Sequence, residues 1–163
     1  NSRIDKNFLK KLNEKYLIKG FEILRELNQN KVKLYEYSDF TLIQTGSHYK
    51  FPIHDDTPNK LLSGVIYLKP EVNKGTLFYK DKQGNEKKEI EWRQNRAVFF
   101  ARSEKQSWHS YEGDKKSARV ALIFNLMTTK IFDVAKYEDS NYLTTFLRFK
   151  INPYLYRFFN ITL

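Results

Sequence analysis

The sequence predicts a mainly β domain of the sandwich or barrel type, with a helix before it and a second helical segment after it. Two observations carry this prediction. Between residues 31 and 127, short β-type runs are separated by turn signals, which is the pattern of a sandwich or barrel. The residues on either side of this region lack that pattern, and residues 1–30 have the apolar spacing of a helix.

The length and composition predict one soluble globular domain. A chain of 163 residues is long enough for a sizeable core, and 40% hydrophobic with 16% aromatic residues favours a folded chain. The absence of cysteine excludes disulfides and thiolate metal sites and fits a reducing cytoplasm, where we expect the protein. No apolar run approaches 18 residues and no signal-peptide pattern is present, so no membrane span is expected.

The formal net charge of +10 suggests anionic partners such as nucleic acid, a membrane surface or acidic metabolites. The lysines, however, are scattered through turn-like segments such as 80–82, 87–88 and 115–116, which also fits a plain solvated surface. The signatures of nucleic-acid-binding modules are absent, so the sequence does not favour a nucleic-acid partner.

Residues 5 to 27 read as an amphipathic helix with Asp5 as its N-cap and a break near Gly20. Its apolar positions recur at steps of three and four residues: Phe8, Leu9, Leu12, Tyr16, Leu17, Phe21, Leu24 and Leu27. We expect this helix to cover the outer face of a sheet. A membrane-surface helix is the alternative, although glutamates at positions 14, 22 and 26 interrupt its basic face.

The β region has turn signals at 38–39, 57–59, 69–75, 83–85 and 112–114. The predicted strands lie near residues 32–37, 40–45, 48–54, 61–68, 75–80, 87–92, 96–101, 106–111 and 117–127. Residues 128–163 are rich in aromatic side chains, and Pro153 interrupts any helix there. We interpret this last segment as helical packing against the outside of the β domain; the alternative is a lid or a partner surface.

One short segment and one distant histidine suggest a metal site. In an extended strand, His54 and Asp56 project to the same side while Asp55 points away, and His109 on a second strand supplies a third ligand. Two histidines and one carboxylate, with the remaining positions open, is the arrangement of non-haem Fe(II) oxygenases. The alternatives are a strand-end histidine bonded to a turn aspartate, and His48 as a rival ligand.

Arg119 stands ten positions after His109, at the start of an apolar run that extends to residue 126. Arginine is rarely buried unless it is paired, so an anion is expected to meet it. The anion is either a ligand or the partner in a strand-end salt bridge.

The order His54-x-Asp56, then His109, then Arg119 resembles that of the Fe(II)/2-oxoglutarate-dependent dioxygenases. The surrounding residues are most similar to the prolyl 4-hydroxylase-type branch of that superfamily. The resemblance covers roughly residues 41 to 125 and includes segments 44–46, 62–68, 74–79 and 95–100.

The resemblance implies a double-stranded β-helix (jelly roll, cupin-like), with the N-terminal and C-terminal helices packed outside. It implies that His54, Asp56 and His109 bind Fe(II) and that 2-oxoglutarate chelates the metal, leaving one position for O2. Arg119 would hold the distal carboxylate, for which a planar guanidinium is a well-matched bidentate donor.

Further side chains are candidates for the same site. Those expected near the co-substrate are Gln44, Ser63, Tyr67 and Asn125, and those expected near the substrate are Tyr49, Arg102 and Trp108. Asn125 shares a strand face with Arg119, so it contacts substrate or co-substrate, or satisfies a backbone group. Tyr67 is equally suited to the core with a wet hydroxyl, and Trp108 to packing.

The function expected from the sequence is therefore that of a 2-oxoglutarate-dependent iron dioxygenase. It would hydroxylate a C–H bond of an unidentified small-molecule or peptidyl substrate and release succinate and CO2. One alternative is a non-catalytic cupin-like protein that binds a metal or a small anion. Another is a basic nucleic-acid-binding domain, whose affinity would depend steeply on salt.

Overall fold

A computed structural model describes residues 5–103 and 106–151 of the chain. The elements in chain order are α1 (Lys6–Val32), β1 (Tyr37–Thr45), β2 (Lys50–His54), β3 (Lys60–Lys69), β4 (Thr76–Phe78), β5 (Lys88–Ile90), β6 (Ala97–Ala101), β7 (His109–Glu112), β8 (Arg119–Met127), α2 (Ile131–Tyr137), α3 (Tyr142–Phe146) and a π-helical turn (Leu147–Ile151). Eight of the nine predicted strands are present, with shifted ends.

The strands form two four-stranded antiparallel sheets. The strand order is β1-β8-β3-β6 in the first sheet and β2-β7-β4-β5 in the second. Strands that follow one another along the chain, such as β1 and β2, therefore belong to different sheets. This is a jelly-roll (cupin-like) fold with helices outside it, which confirms the predicted fold class.

Helix α1 begins where predicted but is longer. The Asp5 carboxylate accepts hydrogen bonds from the backbone N–H groups of Asn7 and Phe8, each at 3.0 Å. The helix continues to Val32, so the strand predicted at 32–37 is wrong. The non-helical residue inside α1 is Asn28 rather than Gly20.

Gly20 allows close packing of α1 and does not break the helix. A Cβ at this position would lie 3.0 Å from the Phe124 ring, so the missing side chain lets α1 approach the first sheet closely. The buried core between α1 and the outer face of that sheet includes Leu24, Leu62, Ile66, Phe124 and Leu126, and the Phe40 and Phe124 rings stack in it at 4.7 Å. The predicted covering role of the helix is confirmed.

Helix α2 belongs to the same layer as α1, since its Val134 is fully buried in the same core. Pro153 and the aromatic residues that follow it lie outside the described residues. Within the described part of the chain, no helix combines the length and the apolar character needed to cross a membrane.

The two sheets converge on one region. Strand β2 ends at His54, directly opposite His109 at the start of β7, while β8 begins at Arg119, opposite Thr45 at the end of β1. The second sheet thus carries both histidines, and the first sheet carries the arginine. The functional candidates therefore face one another across the space between the sheets.

Gly75 lies very close to the backbone of Ile90 at the end of β5, and this contact gives a first prediction. A Cβ at Gly75 would lie 1.7 Å from the Ile90 carbonyl oxygen, whereas nothing lies within 4 Å of one at Gly46. We expect Gly75→Ala to lower the free energy of unfolding by about 1–3 kcal/mol because the backbone must move. Gly46→Ala should leave it nearly unchanged in urea unfolding. Equal stability of the two variants would contradict this backbone contact.

Candidate metal centre

His54, Asp56 and His109 lie together between the sheets, as predicted. One potential ligand atom from each residue can be chosen so that all three lie within 4.8 Å of one another. The two imidazole rings have centroids 4.2 Å apart, because β2 and β7 pair directly at these residues. Strand pairing therefore brings together ligands that are 55 positions apart in the chain.

Backbone carbonyls orient both imidazoles. His54 Nδ1 lies 3.0 Å from the Pro52 carbonyl oxygen, and His109 Nδ1 lies 2.8 Å from the Ser107 carbonyl oxygen. Because a carbonyl only accepts, each Nδ1 carries a hydrogen, which leaves Nε2 as the ring nitrogen that can bind a metal. A backbone carbonyl on the second ring nitrogen is the usual support of a metal-binding histidine. Sequence reasoning missed Pro52 and Ser107, although each stands two residues before its histidine.

Asp56 is buried and accepts two hydrogen bonds from the chain. Its Oδ1 accepts from Lys60 Nζ at 2.7 Å, and its Oδ2 accepts from Ser63 Oγ at 2.5 Å. Burial by itself raises the pKa of Asp56, but positive charge at Lys60 and His109 and these two hydrogen bonds outweigh it, so the pKa lies below its ordinary value. The carboxylate is therefore ionised at neutral pH. Lys60 was not predicted from the sequence.

The donor set fits a divalent transition metal. Burial lowers the pKa of His54, and positive charge at His109 lowers it further, so the His54 imidazole is neutral at neutral pH. A neutral imidazole is the form that binds metals, and Asp56 supplies a compensating negative charge. Two imidazole nitrogens and one carboxylate oxygen suit Fe(II) and other first-row ions.

The three residues line a cavity of about 390 Å³ between the sheets. Its walls are largely apolar and include Ile43, Val65, Phe100 and Ile123. Tyr49 and Phe51 also line it and are 44% and 42% exposed, so they mark its solvent side.

Arg119 lines the same cavity and is only 9% exposed. Its Cζ lies 3.1 Å from the centroid of the Tyr111 ring, and its Nε and Nη1 have no hydrogen-bond partner. In residues 5–103 and 106–151, no carboxylate lies within salt-bridge distance of it. Burial lowers the pKa of Arg119 to about 10, so the guanidinium still carries its charge at neutral pH. A buried cation with free donors facing a cavity is arranged for an anionic ligand.

Of the other predicted side chains, Ser63, Asn125 and Tyr49 line the cavity. The Ser63 hydroxyl donates to Asp56, so it supports a ligand instead of facing the co-substrate. Asn125 Nδ2 donates to Asp39 Oδ2 at 3.3 Å, which leaves its buried Oδ1 without a partner. Asn125 is therefore a polar contact available to a bound molecule.

Gln44, Tyr67 and Trp108 are not among the residues that line the cavity. Gln44 is exposed on β1, and Trp108 is half-buried. Tyr67 is fully buried, stacks on Trp92 with ring centroids 4.3 Å apart, and donates its hydroxyl to Thr76 Oγ1 at 2.8 Å. The structure thus corrects their predicted roles, and Tyr67 adopts the alternative of a core aromatic.

Arg102 and His48 also lie elsewhere. Arg102 is 1% exposed and contacts Asp55, Glu138 and the backbone of Asp56 instead of the cavity, so its predicted role as a substrate contact is corrected. His48 is exposed, its Nδ1 lies 3.0 Å from Ser47 Oγ, and it is not part of the metal-binding group.

Comparison with known proteins supports the fold. No protein-family model and no curated protein matches the chain. A prolyl 4-hydroxylase from Phytophthora capsici aligns with a TM-score of 0.51 and 18% identity, over 77% of this chain and 46% of that one. A prolyl-4-hydroxylase from Pseudomonas putida aligns with a TM-score of 0.48 and 16% identity, over 63% of this chain and 58% of that one. A cupin domain from Bordetella pertussis aligns with a TM-score of 0.41 and 10% identity, over 57% of this chain and 84% of that one.

The chain thus spans about half the length of the two prolyl hydroxylase structures that it resembles. The likeness concerns the fold alone, which the chain shares with the prolyl 4-hydroxylase that aligns with a TM-score of 0.51. The chemistry of this chain is argued below from its own residues.

The metal centre gives a second prediction. His109→Ala should weaken Co(II) binding by more than about 100-fold, because removing a ligand weakens binding more than changing a residue that only hydrogen-bonds to a ligand. His48→Ala removes the remaining histidine outside the site and should leave the affinity unchanged. Anaerobic Co(II) titration, followed by the visible bands of the ion, measures both. Equal binding by the two variants would exclude His109 as a ligand.

Proposed function

We propose that this chain is an Fe(II)- and 2-oxoglutarate-dependent dioxygenase that hydroxylates a C–H bond of an organic substrate. Succinate and CO2 would be the products from the co-substrate. One observation carries the proposal: a His-His-carboxylate donor set and a buried arginine without a carboxylate partner among the described residues open into one cavity. The first suits a metal with open positions, and the second suits the far end of a dicarboxylate.

Iron held by the Nε2 atoms of His54 and His109 and by the Asp56 carboxylate would supply the O2 chemistry that amino-acid side chains lack. The chain's contribution is to present these three ligands in the correct protonation state. The Pro52 and Ser107 carbonyls keep Nδ1 protonated in both rings, while Lys60 and Ser63 keep Asp56 ionised and oriented.

The spacing between the metal ligands and Arg119 fits the co-substrate. Arg119 packs on the ring of Tyr111, which follows His109 by two residues on the same face of β7. Residues two apart on a strand are about 7 Å apart. A five-carbon keto acid chelated near His109 would therefore direct its distal carboxylate towards Arg119. Thr45, paired with Arg119 in the first sheet, adds a further polar side chain to the cavity lining.

The walls and the solvent side of the cavity suit an oxidation that must exclude water. Val65, Phe100 and Ile123 surround the ligands with apolar surface, which limits side reactions with solvent. On the substrate side, Tyr49 lies at the opening and Asn125 offers an unpartnered oxygen. We propose these two as substrate contacts.

The first experiment is an anaerobic titration of the protein with Fe(II) and then 2-oxoglutarate. A weak visible charge-transfer band of the chelated keto acid should appear in the unmutated protein and be absent in His54→Ala. Admission of O2 should then produce succinate.

Iron uptake without the band and without succinate would contradict the proposed reaction. The same ligands and Arg119 would then serve the alternative, a non-catalytic cupin-like protein that binds a metal or a small anion.

The role of Arg119 gives a further prediction. Arg119→Gln should weaken 2-oxoglutarate binding by about 10- to 100-fold, because a hydrogen bond to a charged group contributes about 1.5–3 kcal/mol. Fe(II) affinity should not change, since Arg119 is not a ligand. Arg96→Gln, at an arginine bonded to Glu91 outside the cavity, is the matched control. Unaltered 2-oxoglutarate affinity in Arg119→Gln would remove the anion site from this position.

A further inference from the structure

A buried group of charges includes Asp55, the residue between His54 and Asp56. It consists of Lys31, Asp55, Arg102, Glu138 and Arg148, which we call the ionic cluster. The side chains of Lys31, Asp55, Arg102 and Glu138 are at most 3% exposed, and that of Arg148 is 25% exposed. Its members come from the last turn of α1, the segments after β2 and β6, the end of α2 and the π-helical turn.

Arg102 connects this cluster directly to the metal-binding segment. Its Nε donates to the backbone carbonyl of Asp56 at 3.1 Å, and its Nη2 lies 3.5 Å from Asp55 Oδ2. Its Nη1 contacts the Glu138 carboxylate at the end of α2. One planar guanidinium therefore bridges a metal ligand, the residue before it and a helix of the outer layer.

Lys31 holds Arg102 from the other side. The Lys31 ammonium donates to the backbone carbonyl of Arg102 and to the Glu138 carboxylate. Because the ammonium is fully buried, it depends on these acceptors. The position of Arg102 is thus set by α1 and α2 together.

Asp55 is the second connection. It stands between His54 and Asp56, directly after the end of β2. Its buried carboxylate meets both Arg102 and Arg148. A buried carboxylate is costly unless it is paired, so these arginines determine its orientation. The backbone that carries Asp55 also carries both ligands, so the ligands are oriented with it.

We propose that Arg102 is a positioning residue for the metal centre. Through the Asp56 carbonyl and the Asp55 carboxylate, the ionic cluster holds His54 and Asp56 in the arrangement that binds a metal. Metal affinity then depends on the docking of α2 and the π-helical turn, which supply Glu138 and Arg148. The inference rests on the proposed metal centre and is independent of the reaction carried out there.

The buried ion pairs of the ionic cluster are suited to orienting the metal-binding segment. Buried ion pairs add little net stability compared with apolar residues of equal volume, whereas their directional hydrogen bonds favour one arrangement of the chain. Arg102 has both properties, since its three nitrogens meet three differently placed acceptors. A lysine at this position would keep the charge but could not reach all three.

The test is Co(II) titration of Arg102→Lys under anaerobic conditions, with the thermal midpoint of the metal-free protein measured in parallel. We expect the Co(II) affinity to fall by about tenfold or more, as when other residues that orient a metal ligand are changed, and the visible Co(II) spectrum to change because Asp56 reorients. Arg96→Lys is the matched control, because Arg96 also donates to a backbone carbonyl and contacts a carboxylate, but far from the metal.

A second control separates positioning from stability. Ile66→Ala removes buried apolar volume from the core between the first sheet and α1. It should lower the thermal midpoint while leaving the Co(II) spectrum and affinity unchanged. The inference is wrong if Arg102→Lys retains the Co(II) spectrum and affinity of the unmutated protein. It is also wrong if Ile66→Ala, at the same thermal midpoint as Arg102→Lys, loses as much Co(II) affinity as that variant.

Arg148→Gln covers the case in which Arg102→Lys does not fold. Arg148 is partly exposed, so its loss should be tolerated, and the Co(II) affinity should fall severalfold in the same direction. Unchanged affinity in Arg148→Gln would then overturn the inference. Failure of the unmutated protein to bind Co(II) would instead refute the metal centre itself, and Co(II) binding without succinate formation from the Fe(II) protein would refute only the proposed reaction.

Discussion

The structure depends on three consecutive polar side chains at the end of β2, of which Asp55 and Asp56 are buried and His54 is half-buried. His54 and Asp56 lie together with His109 in the cavity, and the Asp55 carboxylate contacts Arg102 and Arg148 of the ionic cluster. The two buried carboxylates of this segment need partners, and each partner comes from another part of the chain. The fold around this segment can be described as the set of elements that supply those partners.

The partners on the cavity side come from both sheets. Strand β7 supplies His109, and β3 supplies Lys60 and Ser63, which hold Asp56. On the other side, α1, α2 and the π-helical turn supply the charges that meet Asp55 and Arg102. The helices therefore contribute polar contacts to the site in addition to the apolar layer that covers the first sheet.

Two different electrostatic environments lie within one cavity. At the ligands, burial and nearby positive charge favour a neutral His54 imidazole, while Lys60 and Ser63 favour an ionised Asp56 carboxylate, and these are the forms that bind a metal. At the other end, Arg119 is charged and packed on Tyr111, with free donors and no carboxylate partner in the described part of the chain. A molecule with a chelating end and an anionic end satisfies both environments at once, and this is the physical basis of the 2-oxoglutarate proposal.

Sequence alone determined the features that follow from local alternation. These are the β region with its turns, the shared face of His54 and Asp56, and the unusual entry of Arg119 into an apolar strand, since a period of two is visible in any single strand. Tertiary structure decided which segments of the chain contact one another. It extended α1 over residues predicted as a strand, placed Tyr67 in the core, and moved Arg102 from the cavity to the ionic cluster. It also chose the Pro52 and Ser107 carbonyls and Lys60 as supports of the ligands, because hydrogen-bond partners depend on distances in space that no local pattern contains.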